Sequence, residues 1–213
     1  MDTVDRILTT INPAKPVLLV DADEVLLRFV ERLEEYFLSQ GFELRLSSFQ
    51  IAGNTYDLES GGLVEPKKVG HLIASFFEAC VDDVKPVHGA AEGLNALAEH
   101  YQITILSNVP TNCRVRREQS LARLGINYPV IANKGDKGPI VKLFDNATTK
   151  KTVFIDDLPP QHSSVSKLCP DSHRVHFVAD KRLAGMIGPA SDANIRIDEW
   201  PPLTSHLLSL LES

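Results

Sequence analysis

The chain reads as an α/β domain built on an open, Rossmann-like parallel sheet, with a small helical cap inserted after the first strand. Three observations predict this. Short apolar runs without alternation recur, each closed by polar residues: VLLV before Asp21, ITIL before Ser107, TVFI before Asp156 and VHFV before Ala179-Asp180. Helical stripes lie between these runs, and alternating strands and helices imply a parallel sheet with right-handed crossovers. Residues 24–84 break the alternation with two helical stripes in succession.

In chain order, Val4, Ile7, Leu8 and Ile11 sit at helical spacing, and Pro13 and Pro16 close that helix. Val17-Leu18-Leu19-Val20 is apolar at every position, as strands buried on both faces are. A 3.6-residue stripe follows from Val25 and Leu26 through Phe29, Val30, Leu33, Tyr36 and Phe37, with Gly41 as its stop. A loop is expected around Ser60-Gly61-Gly62. Pro66 then opens a second helix carrying Val69, Leu72, Ile73, Phe76 and Phe77. No strand is expected in this stretch, so residues 24–84 are assigned to the helical cap, and residues 1–23 and 85–213 to the α/β core. Within the core, Leu94, Leu97 and Ala98 form a helix before the second strand, and Leu121, Leu124 and Ile126 one after it. Residues 128–132 are a weaker fifth strand. Ile140, Val141 and Phe144 mark the helix before the strand that ends in Asp156-Asp157, and Val175-His176-Phe177-Val178 is the next strand.

Composition narrows the class. With 213 residues, 43% hydrophobic and 23% charged, the chain can bury a sizeable core. A net charge of −6 disfavours nucleic acid or an anionic membrane as partner. Cys80, Cys113 and Cys169 are odd in number and form no CxxC, so they read as reduced thiols in a cytoplasmic protein. The N-terminal residues have no signal-peptide pattern, and no apolar run approaches the roughly 18 residues of a membrane span. Oligomeric state is not legible.

Chemistry gathers where strands end, the usual ligand edge of an open parallel sheet. Asp21 and Asp23 follow the first strand, Ser107 and Asn108 the second, Asp156 and Asp157 a third, and Lys137 begins a helix just upstream. Converging carboxylates repel one another, and a hard cation such as Mg²⁺ relieves the repulsion through oxygen ligands. An Asp can attack phosphorus, a second carboxyl group can move the proton, and a Lys and a hydroxyl can hold the charged oxygens.

These segments resemble the haloacid dehalogenase (HAD) superfamily, and within it the phosphatase-like branch. VLLVDADEVL matches the apolar strand followed by Asp-x-Asp, ITILSN the strand ending in Ser-Asn, Lys137 of DKGPIVKLF the lysine at a helix start, and TVFIDD the strand ending in paired acids. Pro86-Val87-His88-Gly89 matches the Pro-x-x-Gly turn, and the motifs stand in the family's order. The resemblance implies a HAD-like core and Asp21 as nucleophile, Asp23 as general acid/base and Lys137 as the residue steadying nucleophile and phosphate. Ser107 and Asn108 are the expected substrate contacts. The metal set it implies is Asp21, Asp23 through its backbone carbonyl, Asp156 and Asp157, with Mg²⁺ as the ion. Asp23 separates phosphatases from dehalogenases, which typically lack this acid. One residue departs from the pattern: phosphatases usually carry Gly where this chain has Glu24, and an anion there is expected to narrow the site or repel phosphate.

The expected activity is hydrolysis of a small phosphorylated metabolite. A phosphotransferase or phosphomutase would use the same residues, and a non-catalytic HAD-like binding protein is the reading that Glu24 leaves open. A phosphoryl-accepting receiver would place its acid pair first, whereas here the pair comes last. Lys134 competes with Lys137, which is favoured because Gly138-Pro139 starts the helix beside it. The basic run Arg114-Val115-Arg116-Arg117 reads as a solvated helix face, His162 as an exposed loop residue, and Phe76 and Phe77 as cap core. Arg28, Arg45, Asn54 and Tyr56 are the cap residues whose chemistry suits substrate contact.

Overall fold

The structure, a computed structural model, describes residues 3–211. Its elements are α1 (Thr3–Leu8), β1 (Val17–Val20), α2 (Phe29–Ser39), β2 (Phe42–Leu44), β3 (Thr55–Asp57), α3 (Pro66–Cys80), α4 (Ala90–Leu97), β4 (Gln102–Ser107), α5 (Arg114–Arg123), β5 (Val130–Ala132), α6 (Gly138–Ala147), β6 (Val153–Asp156), α7 (Pro159–Leu168), β7 (His173–His176), α8 (Lys181–Ala184), β8 (Ile195–Arg196) and α9 (Trp200–Ser209). Six strands form one parallel sheet in the order β5-β4-β1-β6-β7-β8.

The alternation of strand side chains explains why β1 has no polar position. Leu18 and Val20 join the larger core with Ile103, Ile105, Val153 and Ile155. Val17 and Leu19 face the opposite side, against Phe144, Phe154 and Val165. Helices cover both faces, so every β1 side chain leaves water.

The expected strand at 175–178 lies two residues earlier, at His173–His176, and Phe177 and Val178 belong to the loop beyond it. The two-residue β8 carried no sequence signal, because a strand so short has no periodicity. Cys80, Cys113 and Cys169 are free and buried. Among the described residues, no helix is long and apolar enough to cross a membrane.

The segment inserted between β1 and α4 contains α2 and α3, and also an antiparallel hairpin of β2 and β3. The hairpin corrects the expectation of a strand-free cap; its strands have three residues each, too few to display alternation. Helix α2 starts at Phe29, later than the apolar stripe suggests. Val25, Leu26 and Leu27 instead sit in a compact turn in which the N–H groups of Leu26 and Leu27 both donate to the Ala22 carbonyl, each at 2.9 Å. They are fully buried, which is why they mimic a helical stripe. The two chain crossings between core and cap are stitched together: Arg28 N–H donates to Lys85 O and Val87 N–H to Leu26 O.

Helix α6 packs on α7 so closely that a Cβ at Gly138 would stand 2.5 Å from the backbone oxygen of Ser164. Backbone cannot yield as a flexible side chain can, so α6 must begin with glycine. Gly138→Ala is expected to destabilise the fold by about 1–3 kcal/mol, the usual cost of overpacking. Gly70, exposed within α3 with nothing within 4 Å of its Cβ position, is the control; Gly70→Ala is expected to gain about 0.4–1 kcal/mol. Thermal melts of the two variants check the opposite signs.

Candidate active site

Strands β1, β4 and β6 are neighbours in register, with Val20 opposite both Ile105 and Ile155. Their ends therefore deliver Asp21, Ser107 and Asp156 to one edge of the sheet. Lys137 reaches the same place from the start of α6. Its backbone N–H donates to Gln161 Oε1 at 2.8 Å, and the close α6–α7 contact at Gly138 sets its height.

The Lys137 ammonium donates to Asp21 Oδ1 at 2.5 Å and to Asp156 Oδ2 at 2.7 Å, and all three residues are buried. Leu158 N–H donates to the other Asp156 oxygen at 2.9 Å. Burial pushes the Asp21 carboxyl up to about 6; the Lys137 charge pulls it back and the Asp156 charge adds to the rise. Burial alone would lower Lys137, but Asp156 and Asp21 hold it above its ordinary value. Asp157 is pushed well up, first by burial and then by the charges of Asp156 and Asp21. Lys134, by contrast, is exposed.

Carboxylate oxygens of Asp21, Asp156 and Asp157 lie within 4.8 Å of one another. An all-oxygen donor set of this size and charge suits a hard divalent cation, and the single nearby ammonium does not neutralise it. The Asp23 carboxylate stands outside that group. Its Oδ1 accepts from Arg117 Nη2 at 2.8 Å. Burial raises Asp23 and the Arg117 charge lowers it.

Arg117 corrects the reading of the basic run. Arg116 lies at the surface and pairs with Asp82, but Arg117 is fully buried, with Nε and Nη1 lacking hydrogen-bond partners. A signal was present in the sequence: Cys113, Arg117, Ser120 and Leu121 follow helical spacing and share the inward face of the segment.

Glu24 also behaves differently from expectation. Its backbone is left-handed, with φ of 61°, a conformation that costs a non-glycine residue roughly 1–2 kcal/mol. The buried carboxylate accepts from Val30 N–H in α2 at 2.7 Å and from Asp180 N–H in the core at 3.0 Å. Burial raises it to about 7, against the pull of those two donors. Its two oxygens tie cap to core, and the residue also lines the cavity above the cluster.

A cavity of about 310 Å³ opens above this cluster, lined at its base by Asp21, Asp23, Glu24, Asn108, Lys137 and Asp157. Ser107 is fully buried beside Asp23 and does not line it; its Oγ accepts from Val109 N–H at 3.2 Å. A larger cleft of about 1140 Å³ runs between cap and core past Arg28, Glu31, Glu34 and Arg182. It is lined by Glu24 but by none of Asp21, Asp23, Lys137, Asp156 and Asp157, so the carboxylate–ammonium cluster belongs to the smaller cavity. The four polar or aromatic cap residues expected near substrate do not line the smaller cavity, whereas Phe77, expected in the cap core, does. His162 is fully buried, not exposed, and its Nε2 pairs with the Asp156 carbonyl at 3.0 Å.

The Asp23–Arg117 pair makes a stability prediction. Removing one partner of a buried ion pair strands the other charge, at about 3–5 kcal/mol. Asp23→Ala is expected to lose stability in that range, while Asp23→Asn keeps an acceptor for Nη2 and loses less. Denaturant titration of both variants measures the order; equal losses would remove Arg117 as the cause.

The chain is similar to a haloacid dehalogenase-like hydrolase from Streptococcus pneumoniae, at 11% identity over 92% of this chain and 100% of that one, with a TM-score of 0.60. It is similar to a HAD family hydrolase from Deinococcus radiodurans with bound phosphate and sodium, at 14% identity over 93% and 97%, TM-score 0.60. An L-2-haloacid dehalogenase, PA0810, gives 11% identity over 91% and 100%, TM-score 0.59. No protein-family model and no curated protein matches the chain. Identities this low speak for fold and not for reaction, and the chain has the haloacid dehalogenase fold.

Proposed function

We propose that this chain is a magnesium-dependent phosphomonoester hydrolase working through an aspartyl-phosphate on Asp21. The observation that carries this reading is the arrangement of Asp21: a buried carboxylate with one oxygen on Lys137, on the floor of a cavity, within a three-carboxylate oxygen cluster. Asp23 lies two residues on, with its own carboxylate on the same cavity.

In the first step an Asp21 oxygen attacks phosphorus as the ester P–O bond breaks, and the departing oxygen takes a proton from Asp23. In the second, water attacks the phosphorus of the aspartyl-phosphate and gives its proton to Asp23, releasing phosphate and restoring Asp21. Lys137 keeps one Asp21 oxygen fixed and offsets charge on the phosphoryl group. Asn108, on the cavity, contacts the phosphoryl oxygens, and Ser107 supports Asp23 from below. Asp21, Asp156 and Asp157, with the Asp23 backbone carbonyl, would hold Mg²⁺, which when bound would supply the positive charge that lets a dianion approach these acids.

Arg117 and Ser107 fix the Asp23 carboxylate at the edge of the cavity, where it moves the protons. A sugar acceptor, as in a phosphotransferase or phosphomutase, needs polar partners for its hydroxyls; the cavity wall is mostly apolar, which favours water as the acceptor. The substrate is a small molecule, since a cavity of about 310 Å³ under a cap does not admit a folded phosphoprotein.

Asp21→Asn is expected to abolish phosphate release while leaving circular dichroism unchanged, because the amide is neither nucleophile nor good metal ligand. Chelation is expected to remove activity, Mg²⁺ to restore it and Ca²⁺ to inhibit. Full turnover by the chelated protein, or by Asp21→Asn, contradicts the mechanism. The assay is phosphate release from a panel of small phosphomonoesters.

A further inference from the structure

The two ends of this cavity have opposite chemistry. Its base is charged, as described above. Its cap wall is Phe29, Val30, Phe49, Ile51 and Phe77; the polar residues the cap adds are Gln50 and, at the base, Glu24, whose carboxylate is already bonded to Val30 and Asp180 N–H. Leu158 and Leu183 continue the apolar surface on the core side. The wall is braced: Phe29 stacks on Phe77 at 5.7 Å between centroids, and Phe76, fully buried behind, meets both edge-on. Phe29, Phe49 and Ile51 also pack on Val30, Val178 and Leu183, a small cluster that joins cap to core.

The cap residues able to read hydroxyls or charge are committed elsewhere. Arg28 pairs with Glu31 at 3.1 Å. Arg45 pairs with Glu43 at 2.6 Å and lies 4.5 Å over the Tyr56 ring. Asn54 is buried, with its amide spent on Ser47, Ser48 and Gln50. Among the described residues, no cation from the cap lines the cavity. A sugar or nucleotide body would give up water for its hydroxyls and charges here with only Gln50 and the already engaged Glu24 as polar partners from the cap, a net cost. An apolar body gains by the same transfer. At roughly 30 Å³ for each water-sized group, the volume holds about ten such groups. That is a phosphoryl group with one ring or a short branched chain.

We propose that the substrate's esterified group is an uncharged apolar body, an aromatic ring or compact branched alkyl chain, seated on the wall formed by Phe29, Phe49 and Phe77. The proposal rests on the hydrolase reading above. It names what the cap selects: specificity comes from burial of the leaving alcohol against aromatic rings, and the phosphate is recognised by the base alone.

The test compares three substrates with Mg²⁺ present. Benzyl phosphate and glucose 6-phosphate both release a primary alcohol, so their intrinsic reactivities are similar. Acetyl phosphate is activated and has no body to seat. kcat/KM for benzyl phosphate is expected to exceed that for glucose 6-phosphate by about 100-fold. Phe49→Asn is expected to cut the benzyl-to-acetyl ratio about 10-fold. Alongside, calorimetry is expected to find benzylphosphonate bound about 10-fold more tightly than methylphosphonate. Comparable kcat/KM for glucose 6-phosphate and benzyl phosphate, with both hydrolysed, overturns the apolar-body proposal and leaves the hydrolase reading standing. Failure to hydrolyse any of the three overturns the hydrolase reading; the phosphonate ratio then judges the wall by itself, and a ratio of one overturns it too.

Discussion

The Lys137 ammonium, held between Asp21 and Asp156, is the contact on which the site depends. Burying several carboxylates at one sheet edge is costly, because each loses its water and repels the others. One buried cation offsets part of that cost. It can do so only because the chain begins α6 with a glycine against Ser164, which sets where Lys137 stands. Burial first, and then the neighbouring carboxylates, hold the Asp21 and Asp157 carboxyls above their ordinary range against the pull of Lys137. The three clustered carboxylates form an all-oxygen set of the kind that suits a hard divalent cation.

A second buried pair, Asp23 with Arg117, sits beside the first and solves a different problem. A fully buried guanidinium gives the Asp23 carboxylate a fixed partner, which restricts its orientation on the cavity. Glu24, the next residue, leaves the core for the cap. It accepts one N–H from each side, so the cap is anchored within one residue of Asp23. The left-handed backbone at Glu24 is the cost of turning its carboxylate inward at that point. The chain makes this left-handed turn with Glu in place of Gly and gains a cap–core tie from it.

How much of this was legible in the sequence follows from the kind of signal each part carries. The central strands were legible because both faces are buried, so all four positions from Val17 to Val20 are apolar. The strand-end polar residues were legible because each ends such a run. The hairpin of β2 and β3 and the short β8 were not, since two or three residues carry no period. Arg117 was missed for another reason: charge suggests exposure, and only its spacing with Cys113 and Leu121 placed it inward. The polar cap residues Arg45, Asn54 and Tyr56 were expected near substrate by chemical type, but their partners lie within the hairpin. Which cap residues face a cavity is decided by long-range packing, and local sequence does not encode it.

The most direct measurement is rapid acid quench of the Mg²⁺-loaded protein during turnover of acetyl phosphate, followed by peptide mass spectrometry. The account predicts a phosphoryl adduct on the peptide containing Asp21, located to that side chain, discharged by hydroxylamine and absent from Asp21→Asn. Turnover with no adduct at any quench time, or an adduct on a different residue, would contradict it.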